Sequence, residues 1–118
     1  MTAAWRRDLV LRPDDEGWPS PRPVARPPGL RSVGVGAWVE NPTADTTVVF
    51  EGTALHPDAP PAAWTPLWSA TVGAAPPAAA SGPLFLGAVR WIRWRLSTPT
   101  APTRDAVLHL AIDGDLPE

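Results

Sequence analysis

The run AVRWIRWRL at residues 88–96 constrains this chain more than any other stretch. It is dense in strand-forming residues, and it alternates. Ile92, Trp94 and Leu96 fall on one face, while Trp91, Arg93 and Arg95 fall on the other. A period of two marks a half-buried β-strand, because successive side chains point to opposite faces of a sheet. The run therefore reads as the centre of a small β-sandwich with its apolar face in the core. The second face carries two guanidinium groups and an indole, a surface suited to holding a partner.

Proline governs what surrounds this strand. In residues 1–32, Arg12-Pro13, Trp18-Pro19, Pro21-Arg22-Pro23 and Arg26-Pro27-Pro28-Gly29 place prolines too often for a helix or a central strand. The segment is expected to be an extended arm with polyproline II character, preceded by one short strand through Leu9 and Leu11. Trp5, Trp18, Arg22 and Arg26 are of types enriched at interfaces. Two readings stand side by side: a floppy tail, or an arm laid across a neighbouring subunit.

From Ser32 the pattern changes to strands with turn punctuation. Residues 33–40 put Val33, Val35, Ala37 and Val39 on a core face, opposite Gly34, Gly36, Trp38 and Glu40. The two glycines leave room for a backbone or a bulky ring to approach. Trp38 either lies over Gly36 on an outer surface or signals that the two faces are inverted. After the turn cluster at residues 41–45, residues 46–53 form a second strand, and the two read as an antiparallel hairpin. Residues 55–63 are a loop, and Pro66 makes the next strand an edge or a bulged one. Residues 73–82 read as a loop because Pro76-Pro77 interrupts any helix, and residues 83–86 read as a short strand. A last strand spans residues 106–112 and ends at Asp113-Gly114-Asp115. Short strands with Pro/Gly-rich loops and no amphipathic helix indicate an all-β fold: a small antiparallel, jelly-roll-like sandwich over residues 33–114, with an N-terminal arm at 1–32 and a tail at 115–118.

At 118 residues this is one domain with room for a modest core. There is no cysteine, which excludes disulfides and thiolate metal sites. A formal net charge of −2 argues against a general nucleic-acid binder. No apolar run reaches membrane-spanning length, and the N-terminal residues lack a signal-peptide core, so synthesis in the cytoplasm is expected. Every basic residue is arginine, and Gln and Tyr are absent. Codon bias of a GC-rich genome accounts for this, and thermal adaptation is a second account.

From Val33 onward the order of features resembles a small β-sandwich of tailed-phage virion proteins. The residues that carry the likeness are Val39-Glu40-Asn41, Phe50-Glu51-Gly52-Thr53, Trp64-Thr65-Pro66-Leu67 and Trp91-Ile92-Arg93-Trp94-Arg95. Discoidin-like carbohydrate- or lipid-binding sandwiches share the aromatic-Ile-Arg strand and the preceding Trp. The likeness spans about two thirds of the chain, while the proline-rich loops and the Arg-rich arm depart from it. It implies a head-decoration, minor capsid or tail-associated protein of the virion. Its partners would be copies of itself in a symmetric homo-oligomer, with a trimer as the expected form, and the major capsid protein or another virion protein.

The chemistry-bearing residues support no catalytic role. Asp14-Asp15-Glu16 and Asp113-Gly114-Asp115 lack the spacing of a calcium loop and read as solvated turns. His56 and His109 are isolated, Ser69 and Ser81 lack a nucleophile elbow, and no phosphate-binding glycine loop is present. No cofactor, metal or enzyme activity is expected. Trp91, Arg93 and Arg95, with Trp5, Trp18, Arg22 and Arg26, are the candidate interface. The plainer reading of the two strand arginines is pairing with Glu40 or Glu51 in their own sheet. Trp64, Trp68 and Trp94 read as core. A carbohydrate- or cell-surface-binding module of a tail fibre is the rival function.

Overall fold

Each alternating stretch becomes a strand, and the chain deals the strands into two sheets. The computed structural model describes residues 3–15, 17–41, 45–98 and 102–116. The strands are β1 (Ala3–Leu11), β2 (Val24–Ala25), β3 (Ser32–Glu40), β4 (Thr46–Thr53), β5 (Thr65–Val72), β6 (Ala79–Phe85), β7 (Trp91–Ser97) and β8 (Val107–Leu116). One sheet has the order β1-β8-β3-β6 and the other β2-β7-β4-β5, all antiparallel. The pairings show how this arises. β1 pairs with β8, β2 with β7, β3 with β6 and β4 with β5, as in one long folded hairpin. Rolling that hairpin up adds β3–β8 and β4–β7. This is the jelly-roll arrangement.

The core lies between the sheets and follows the period of two. Val33, Val35, Ala37 and Val39 of β3 meet Leu108, Leu110 and Ile112 of β8, and across the gap Val48 and Phe50 of β4 meet Ile92 and Trp94 of β7. Phe50 and Trp94 pack edge to face with ring centroids 4.8 Å apart, a geometry the ring quadrupoles favour. The strand expected at residues 88–96 runs as β7 from Trp91, and it is interior to its sheet, between β2 and β4.

Four sequence expectations are corrected. β3 and β4 are not a hairpin: the chain crosses from one sheet to the other between them, and β4 turns back within its own sheet onto β5. Residues 79–82 are strand, because β6 is an edge partner of β3 in which Pro83 is tolerated. Asp113-Gly114-Asp115 is not a terminal turn but part of β8, held by β1 on one side and, through Asp113 and Gly114, by β3 on the other. The boundary at residue 33 does not divide arm from sandwich, since β1 and β2 belong to the two sheets and Leu30 is fully buried in the core. Pro66 does sit on an edge strand, next to a register shift opposite Phe50 and Glu51. Residues 42–44 of the expected turn cluster, residues 117–118 of the expected tail, Glu16 and residues 99–101 lie outside the described residues.

Candidate functional site

On the outward face of β7, register decides the partners. Arg93 stands directly opposite Glu51, and Arg95 one step along the same face. Arg93 donates from Nε to Glu51 Oε1 at 2.6 Å, and Arg95 from Nε to Oε2 at 3.4 Å. Glu51 is 3% exposed, so its charge needs a close partner, and Arg93 is the nearer and more buried of the two. The guanidinium of Arg93 also lies 4.0 Å from the ring centroid of Trp64, within cation–π range. Trp64 is buried outside the main core, and its Nε1 donates to the Ala59 carbonyl at 3.1 Å. The indole stacked on this strand's arginine thus comes from the loop after β4. Trp91 is half-buried opposite Thr53 and Ala25.

The other interface candidates divide. Trp5 packs half-buried on the core from β1. Trp18 packs there too, and its Nε1 donates to the hydroxyl of fully buried Thr46 at 3.0 Å. Arg26 donates from Nη1 to the Gly87 carbonyl at 2.6 Å, and its backbone NH donates to Arg90. Arg22 alone of this group is exposed with no hydrogen bond or ion pair among the described residues.

Three of the exposed large apolar side chains, Val10, Trp38 and Phe85, lie elsewhere, on the outer face of the β1-β8-β3-β6 sheet. Three rows cross it: Val10–His109–Trp38–Ala79, then Asp8–Ala111–Gly36–Ser81, then Arg6–Asp113–Gly34–Pro83. The first row is tall, the second is low at its centre because Ala111 and Gly36 are small, and the third is low at Gly34. Hollows of about 570 and 680 Å³ follow from that relief. Trp38 is 44% exposed and stacks flat on His109, centroids 4.0 Å apart and rings 4° from parallel. His109 Nε2 lies 3.1 Å from Glu40 Oε1, which fixes the imidazole beneath the indole. Phe85, 69% exposed, stands at the far end of β6.

No protein-family model matches the chain, and no curated protein matches it. The geometry therefore carries the functional argument. Among the described residues no three His, Cys, Asp or Glu side chains converge where an ion could sit. Arg6 pairs with Asp8 at 2.8 Å, and that hydrogen bond, reinforced by charge, holds its guanidinium pKa above the ordinary arginine value. Sequence reading singled out Gly34, Gly36 and Trp38 on this face. It missed the Trp38–His109 stack and Phe85, because a cross-strand neighbour depends on register between β3 and β8, which lie far apart in the chain.

Proposed function

We propose that this chain is a non-enzymatic structural component of a tailed-phage virion, attached to a protein shell through the outer face of the β1-β8-β3-β6 sheet. One observation carries the reading: that face is floored by Gly34, Gly36, Ala111 and Ser81 and rimmed by exposed Trp38, Val10 and Phe85. A low floor admits another protein's side chains, and a rigid stacked indole is the kind of anchor that dominates interfaces. The jelly roll itself is common to capsid and lectin domains and does not decide between them. The Glu51–Arg93–Trp64 cluster serves the fold in this reading.

Particles purified from the organism that carries the gene test it. The protein is expected in the particle fraction at many copies, and Trp38→Glu is expected to leave it in the soluble fraction while still folded. Its absence from particles overturns the proposal. The rival reading, a carbohydrate-binding module, draws on the same Trp38, since sugar rings stack on exposed indoles. A glycan array decides it, with Trp38→Ala as the control.

A further inference from the structure

The two open sides of the sandwich are finished differently. On one side Trp68 of β5 reaches β6, its Nε1 standing 3.1 Å from where a Cβ on Gly82 would lie. On the other side, between β1 and β2, a crevice runs in between the sheets. Its floor is Phe50, Ile92 and Ile112, and Trp5 forms a wall. Arg7 and Arg22 line it and are exposed. Neither has a carboxylate partner among the described residues, whereas Arg6, Arg93, Arg95 and Arg104 each have one.

The size of the crevice restricts its occupant. It measures about 60 Å³, well below the roughly 300–1,000 Å³ of small-molecule pockets. One water needs roughly 10–15 Å³ of such space, so the crevice takes about four to six heavy atoms. That is one leucine side chain. The two cations above it call for an anion a few residues away.

We infer that this crevice receives Leu55 of a second copy of the chain, with Asp58 of that copy paired to Arg7 and Arg22. Leu55 is 67% exposed, second only to Phe85 among the large apolar side chains of the described residues. Asp58 follows three residues later, also exposed. The loop that presents them is already ordered. Leu55 donates its NH to the Thr53 hydroxyl, Ala59 donates its NH to the His56 carbonyl, and Trp64 Nε1 holds Ala59 from below. A preformed knob loses little conformational entropy on docking. Each copy carries one knob and one crevice, so the contact builds a two-fold dimer when it is reciprocal, and a ring or an open filament when it runs head to tail. The inference extends the assembly reading and uses a different surface from the outer face of the first sheet.

Sedimentation velocity over a concentration series tests it on the full chain. The wild type is expected to associate. Leu55→Asp, the double variant Arg7→Asp/Arg22→Asp, and Asp58→Arg are each expected to weaken association by at least about tenfold, the scale of a hot-spot loss. All four altered positions are exposed, so folding is unaffected. Combining Asp58→Arg with Arg7→Asp/Arg22→Asp restores association to within about threefold of wild type, because the charges again oppose. A wild type that stays monomeric, a Leu55→Asp variant that associates like wild type, or no recovery in the charge-reversed combination overturns the inference. None of these results bears on Trp38→Glu in the particle fraction, so the two proposals fail separately.

Discussion

Glu51 shows how one residue can hold a face of a sheet together. Its carboxylate is buried on a strand with Arg93 opposite and Arg95 alongside, and Trp64 lies over the first guanidinium. The two arginines are unequal. Arg93 is mostly buried and close, while Arg95 is half-exposed and at a longer distance. Arg93→Met leaves a buried carboxylate short of its main partner and is expected to cost about 3 kcal/mol. Arg95→Met removes a partner that water largely replaces, at below about 1 kcal/mol. Urea unfolding of both variants measures the difference, and equal losses would refute the ranking. Thr46 makes a parallel case for Trp18. Trp18→Phe keeps most of the apolar contact but removes the indole NH from a buried hydroxyl, with an expected loss of about 1–3 kcal/mol. The same unfolding experiment reads it.

At the scale of strands, β1 is the element that most changes the picture drawn from sequence. It pairs with β8 along its whole length and lays Trp5, Leu9 and Leu11 against the core. Those side chains are half-buried, so each contributes somewhat less than the ~1.5–3 kcal/mol of full burial. Together they match a large part of a typical domain stability of about 5–15 kcal/mol. Deleting residues 1–11 is therefore expected to give unfolded or aggregated protein, with loss of the β-sheet circular dichroism signal, and a soluble folded remainder would contradict the topology. Glycines on β3 and β8 test the packing more finely. A Cβ at Gly114 would meet the Ser32 carbonyl oxygen at 2.9 Å and Leu30 Cδ1 at 2.8 Å. Backbone cannot yield as a side chain can, so Gly114→Ala should cost about 1–3 kcal/mol. At Gly36 the nearest atoms lie 3.6 Å away, and Gly36→Ala should be neutral to slightly stabilising. The strands were legible because alternation is a local property: Val33, Val35, Ala37 and Val39 show their face without any partner. The hairpin between β3 and β4 was misjudged because a turn cluster marks a reversal but not the layer to which the chain returns. The arginine partners were half legible. Glu51 was one of two candidates for Arg93 and Arg95, and only register shows that Glu40 belongs to His109 in the other sheet. β1 and β2 were obscured by prolines, which mark the segments between them and hide the two short pairings.

The whole molecule is one long hairpin rolled until its first and last strands lie side by side. Ala3 and Leu116 are cross-strand partners, and such partners lie about 4.5–5.5 Å apart. Folding must therefore close a loop that spans nearly the entire chain before the first sheet is complete. Closing that loop costs entropy ahead of any reward, and folds dominated by such pairings are slow, in the range of about milliseconds to seconds. A circular permutant isolates this cost. Joining residue 118 to residue 1 lets residues 117, 118, 1 and 2 link β8 to β1, and a four-residue connection is within the range that joins antiparallel strands. New ends placed between β5 and β6, within residues 74–77, cut a segment that contributes little to the core. The β1–β8 pairing then becomes the most local in the sheet rather than the most distant. Stopped-flow refolding should be faster in the permutant, with its unfolding rate little changed, because the altered entropy acts on the unfolded chain. A permutant that folds at the parent rate would show that β1 docks after the barrier, onto a sandwich already assembled from β3 to β8.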